Sequence, residues 1–187
     1  MEDLHRKIID AIVSDEFDQR IMSNLTRPLY VERMVAFLLG DEWKYVGANW
    51  SGWDIENVNN GIRIEVKQSA ARQVWTGRPS LGGRPTRGSF DIAPKGGYYT
   101  EDGKKYVKSP GRPADLYIFA WHPISEEAEA DHRDLPQWQF FVVPKSVLPP
   151  GQKTMGLGRV KRLSDPVSAG ELSESVRRTI SGWKSRR

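Results

Sequence analysis

The chain has 187 residues, a net charge of +4 and no cysteine. That length suits one domain with a real core, and the lack of cysteine removes disulfide frameworks and thiolate metal sites. The three histidines (His5, His122, His132) show no zinc spacing, and no apolar run approaches the roughly 18 residues of a membrane span. The polar start, Met-Glu-Asp-Leu-His-Arg-Lys, is unlike a signal peptide, so a cytoplasmic protein is expected. No Walker loop or dinucleotide fingerprint is present, so no nucleotide cofactor is expected. Gly156-Leu157-Gly158 lacks a strand-and-helix frame and reads as a turn.

In chain order, residues 3–22 read as one or two helices, supported by Leu4, Ile8, Ile12 and Val13. Residues 27–40 read as a second helix. Thr26 is its candidate N-cap, Pro28 sits in the first turn, and Gly40 is a natural C-cap. Val31, Met34, Val35, Leu38 and Leu39 form its apolar stripe. Glu32 lies at the margin of that stripe, where it either reaches over a sheet edge or stays solvated beside Arg33.

Residues 53–68 read as a β-hairpin. Asn60-Gly61 is a two-residue turn signal, because both positions of a type I′ turn need positive φ. That turn pairs Asn59 with Ile62, Glu56 with Glu65 and Asp54 with Lys67. Side chains alternate along a strand, so Asp54, Glu56, Glu65 and Lys67 share one face, and Ile55 and Val66 point to the other. Moving the turn by one residue on each strand changes the partners but not the faces. Three acids on one face repel. A divalent cation removes the conflict, and magnesium accepts one or two carboxylates while keeping several waters. Asp54 and Glu65 are therefore candidate ligands of Mg²⁺, for which Mn²⁺ is a substitute. Such an ion polarises a phosphate and stabilises a leaving oxygen. Lys67 then orients the attacking water or balances charge on the phosphate. The bland alternative is a charged edge strand that only blocks aggregation.

Residues 71–113 read as a long insertion rich in Gly, Pro and Arg, with Trp75, Phe90, Tyr98, Tyr99 and Tyr106 interleaved. The charge is uneven: residues 1–62 hold 6 Lys/Arg against 11 Asp/Glu, whereas residues 63–113 hold 11 against 4. The basic excess thus follows directly on the proposed site. Arg72, Arg78, Arg84, Arg87 and Lys95 are the candidates for phosphate contact, and aromatics on such a loop stack on bases. The alternative is a solvated insertion. Phe90-Asp91-Ile92 reads as a short strand, with Asp91 either a further ligand or a turn acid. Residues 114–121 and 137–143 read as buried strands, with an acidic loop over 126–134 between them. Residues 145–148 read as a helical turn. Leu172, Val176 and Ile180 mark a closing helix over 170–183, whose basic end suits the helix dipole. Trp50 and Trp53, beside Asp54, either wall the site, contact DNA or pack the core.

A helix bearing Glu32, then Gly-Asp-Glu-Trp-Lys-Tyr-Val-Gly, Trp-Ser-Gly-Trp-Asp, a hairpin and Ile-Glu-Val-Lys-Gln-Ser resembles the core of the PD-(D/E)xK nuclease superfamily. That superfamily includes restriction endonucleases and Holliday junction resolvases. The resemblance covers residues 26–70; Trp53 stands before Asp54 where proline is usual, a loose position. It implies an α/β fold: a restriction-endonuclease-like mixed central sheet flanked by helices, one domain over 1–187 with the insertion at 71–113. It implies Asp54 and Glu65 as metal ligands, with help from the helix glutamate Glu32 and the Val66 carbonyl, Lys67 as the catalytic lysine and Gln68 as a polar residue near the site. The expected activity is Mg²⁺-dependent hydrolysis of duplex DNA by a homodimer. Junction resolution, a DNA-repair nuclease and a non-cutting nucleic-acid-binding module are the alternatives.

Overall fold

The computed structural model describes residues 2–47, 51–77, 83–100 and 102–184. Its centre is a five-stranded mixed sheet of β1 (Trp43–Tyr45), β2 (Ile55–Asn57), β3 (Arg63–Ala70), β7 (Leu116–His122) and β8 (Gln139–Pro144), in that order. Strands β3 and β7 run parallel, and the other neighbours are antiparallel. Parallel strands need a crossover. Here the insertion supplies it, carrying β4 (Ser89–Asp91), β5 (Lys95–Tyr99) and β6 (Tyr106–Gly111). β5 and β6 form their own antiparallel hairpin, and β4 pairs with β9 (Thr154–Gly156). The described part of the segment 71–113 therefore carries three short strands.

Both faces of the sheet are covered. On one, α2 (Thr26–Leu39) and α4 (Leu172–Lys184) pack Val31, Val35, Leu172 and Val176 against Ile55, Ile64, Val66, Ile118 and Phe140. On the other, β4, β9 and α3 (Leu157–Leu163) bring Phe90, Met155, Leu157 and Val160 against Tyr117, Phe119, Trp121 and Phe141. Every residue of β7 is buried, which is why that stretch reads as continuous apolar sequence rather than as alternation. The result is a mixed α/β domain with helices flanking a mixed sheet.

Three local readings change. Helix α2 begins at Thr26 itself. Its N-cap position is Leu25, which has no side-chain cap, and the hydroxyl of Ser23 accepts the N–H groups of Leu25 (3.1 Å) and Thr26 (3.2 Å) in the turn that leads into the helix. The hairpin turn has four residues, 58–61, because the Asn57 carboxamide accepts the N–H groups of Asn59 and Asn60 and folds the chain early. The register moves accordingly: Ile55 faces Ile64, and Glu56 faces Arg63 instead of Glu65. Gly156-Leu157-Gly158 is the junction of β9 and α3, not a plain turn. Both elements are too short to leave a readable period.

Helix α1 (Glu2–Glu16) buries no residue, and Leu4, Ile8, Ile9, Ile12 and Val13 are all exposed on it. Among the described residues no helix is long and apolar enough to cross a membrane.

Behind the sheet, His122 and His132 are fully buried with ring centroids 4.9 Å apart. His132 Nδ1 accepts the Met22 N–H at 3.0 Å. Burial, then Arg27 and His122, push the His132 pKa down to about 3, and burial lowers that of His122. Below about pH 6.5 the unfolded chain takes up protons that the folded chain refuses, so stability falls with acidity. The expected slope is about 1.4 kcal/mol per pH unit from His132 between pH 6 and 4, with His122 adding in the same direction. Urea midpoints at pH 7, 6 and 5 check this; a midpoint independent of pH would refute the buried neutral pair.

Candidate active site

The site forms where β2 parts from β3. Their last paired residues on this side are Ile55 and Ile64. One further ladder bond follows, from Asp54 N–H to Ile64 O at 3.0 Å. The next donor, Val66 N–H, bonds the side-chain oxygen Asp54 Oδ2 at 2.7 Å. A carboxylate thus continues the ladder where the strand has left. The Val66 carbonyl emerges on the same edge, because one strand residue directs its N–H and C=O to the same side. Gly47 keeps the approach open: a Cβ there would lie 3.2 Å from Asp54 Oδ1 and 3.1 Å from the Tyr45 hydroxyl.

Glu65, one strand residue earlier than Val66, points to the other face and is 2% exposed. Lys67 Nζ lies 2.6 Å from its Oε1. Lys95 Nζ, from the start of β5, lies 3.0 Å from Oε1 and 3.3 Å from Oε2, and also donates to Gly52 O at 3.2 Å. Two ammonium groups therefore hold one buried carboxylate. Glu32 comes from α2 and accepts the Tyr45 hydroxyl at 3.0 Å. The Arg33 guanidinium stacks over the Tyr45 ring at 3.9 Å.

The electrostatics tie these groups into one cluster. Burial, then Glu65, then Glu32 push the Asp54 carboxyl up to about 8, against the pull of the Val66 N–H and Lys67. Burial also raises Glu32, opposed by the Tyr45 hydroxyl and by Lys67. Burial works against the charge on Lys67, but Glu65 and Asp54 more than offset it, so its pKa is raised. Tyr45 is pushed up to about 12 by burial and Glu32. The cluster thus combines strong burial with three carboxyl groups that raise one another's cost of ionisation.

The sequence-derived candidates divide. Asp54, Glu65, Lys67 and Glu32 are brought together. Gln68 points to the opposite face, where Arg27 Nε donates to its Oε1 at 2.6 Å, and Arg27 also bonds Gln73 and Asn24. Arg72 lies away from the cluster, tied to Glu127 and the Ser125 carbonyl. Arg84 and Arg87 are exposed, while Arg78 and Trp50 lie outside the described residues. Lys95 belongs to the carboxylate cluster itself. Asp91 is exposed on β4, accepts the Ala93 N–H at 2.9 Å, and contributes to the field on Lys67. Tyr45 is a member that sequence reading missed, since β1 has three residues and shows no period.

Among the described residues, no group of three or more His, Cys, Asp or Glu side chains is arranged to hold a metal ion. No family model, curated protein or solved structure matches the chain.

The two lysines on Glu65 make a sharp energetic prediction. Lys67→Met or Lys95→Met alone leaves the carboxylate one ammonium partner. The double variant leaves it buried and unpaired, a state costing about 3–5 kcal/mol. The double variant should be destabilised beyond the sum of the singles, and Glu65→Gln should rescue it. Denaturant unfolding of the parent and these four variants checks this; additivity would mean that the two contacts are independent.

Proposed function

We propose that this chain is a divalent-metal-dependent endonuclease that hydrolyses DNA phosphodiester bonds, restriction-type on duplex DNA, with a PD-(D/E)xK-like site. The observation that carries the reading is the convergence of Asp54, Glu65 and Lys67 at the point where β2 leaves β3. The donor chemistry fits Mg²⁺ or Mn²⁺: the oxygens are hard, and magnesium needs only one or two carboxylates, with water completing its shell. Burial, then Glu65 and Glu32, raise the Asp54 pKa, and a cation at the cluster would favour its ionised form. Asp54 and Glu65, assisted by Glu32 and the Val66 carbonyl, would hold the ion. When bound, it would supply positive charge to the phosphate and the leaving 3′-oxygen.

The chain's own residues divide the remaining work. Lys67 brings a fixed ammonium to the reacting phosphate and orients the attacking water. The Val66 N–H fixes one oxygen of Asp54, so the other is aimed. Tyr45 holds Glu32 beside the cluster. Lys95 balances Glu65 and, once drawn off, is free to meet a phosphate. Cutting both strands calls for two such sites, which favours a homodimer.

One observation favours a second reading, a nucleic-acid-binding module that does not cut. Both oxygens of Glu65 already face ammonium groups, an arrangement that also serves a purely structural ion-pair network.

Incubation with duplex, single-stranded and four-way-junction DNA separates the readings. The nuclease reading expects cleavage with Mg²⁺ or Mn²⁺, none with EDTA, and a loss of about 10²–10³-fold in Lys67→Ala. Asp54→Asn should fall at least as far. Salt-sensitive DNA binding without cleavage of any substrate would favour the module.

A further inference from the structure

Beside the carboxylate cluster opens a cleft of about 290 Å³, lined by Trp53, Glu56, Arg63, Tyr98, Tyr99 and Thr100 among others. Three of its nine lining residues, Trp53, Tyr98 and Tyr99, are aromatic. Trp53 and Tyr98 meet edge to face with centroids 5.1 Å apart, and Tyr99 meets Tyr106 in the same way at 5.3 Å. Its charged groups are two facing residues of the β2–β3 pair, Glu56 and Arg63, and Ser51 and Thr100 are the other polar residues of its lining. Glu56 Oε2 accepts the Trp53 indole N–H at 2.8 Å. The Arg63 guanidinium stacks 3.7 Å over the Trp53 ring, with its Nε 3.8 Å from Glu56 Oε2. That Nε is buried and makes no hydrogen bond. A buried donor left unmade carries a penalty that an incoming acceptor relieves.

The position matters as much as the lining. Trp53 adjoins Asp54 in the chain. Arg63 lies two residues before Glu65 on β3, on the same face and about 7 Å away. One wall of the cleft is the β5–β6 hairpin, which also delivers Lys95 to Glu65. The cleft and the carboxylate cluster are thus adjoining parts of one surface.

We infer that this cleft is a pocket for a single nucleobase, taken out of the stack beside the phosphate held at the cluster. Aromatic faces suit a planar heterocycle, and a carboxylate beside a guanidinium matches an edge that carries both N–H donors and acceptors. Trp53, Tyr98 and Tyr99 supply the stacking surfaces, Glu56 accepts from the base, and Arg63 donates to it. The inference rests on the nucleic-acid reading above and adds to it a contact that reads a base.

Saturation-transfer NMR with the four deoxynucleoside 5′-monophosphates tests this directly, with deoxyribose 5-phosphate as the control and no metal present. The pocket expects saturation strongest on base protons, and binding tighter than that of the control sugar phosphate. Glu56→Gln and Tyr99→Ala should each weaken binding by about ten-fold, with unfolding midpoints showing that both variants remain folded. Equal binding of deoxyribose 5-phosphate, variants that bind like the parent, or no binding at all would overturn the pocket. The parent's cleavage assay with Mg²⁺ tells the two failures apart: cutting without base binding removes the pocket alone, and neither cutting nor binding removes the nuclease reading with it.

Discussion

Confining carboxylates at the edge of a buried sheet is the constraint on which the rest of this structure depends. Asp54 and Glu65 share that edge with Glu32, and burial makes their charges expensive. The fold answers with fixed donors rather than with solvent. The Val66 N–H takes Asp54, Tyr45 takes Glu32, and Lys67 and Lys95 take Glu65. The four donors come from three elements, so β1, β3 and β5 are all drawn to one point. The early departure of β2 creates that point, since a longer β2 would fill the edge with backbone bonds.

Much of this was legible because strand alternation is insensitive to the turn. The hairpin register differs from the expected one, yet Glu56, Glu65 and Lys67 still share a face, since shifting both strands together preserves parity, and Asp54, just beyond β2, meets the Val66 N–H at the same edge. The apolar stripe of α2 and the buried strands β7 and β8 followed from period and composition. The turn was misjudged because Asn57 competes for backbone donors through its side chain, a local effect that pattern reading does not weigh. The place of Lys95 was out of reach for another reason. It lies 30 residues from Glu65, on a hairpin whose docking depends on tertiary contact.

Gln68 shows the same limit from the other side. Its position after Lys67 suggested a place near the site, but alternation sends it to the opposite face, where it helps to hold Arg27. That guanidinium is almost wholly buried, and its three side-chain hydrogen bonds all go to amide oxygens, from Gln68, Gln73 and Asn24. Burial lowers its pKa to about 10. Arg27 thereby links the first turn of α2 to the end of β3, fixing the helix that carries Glu32 relative to the strand that carries Glu65 and Lys67. The two faces of β3 have separate tasks, one holding the charged cluster and the other holding the scaffold in register.

Helix α1 has a different standing. None of its 15 residues is buried, and an isolated helix of that length is only marginally stable in water. Its order is therefore weakly coupled to the sheet, and it belongs to the low end of the molecule's range of local opening energies. Helical content and burial of the sheet are then distinct quantities in this protein. A melting curve followed through helical signal sums α1 with the core, whereas one followed through the buried tryptophans reports the core, so a single unfolding free energy describes the domain without its first helix.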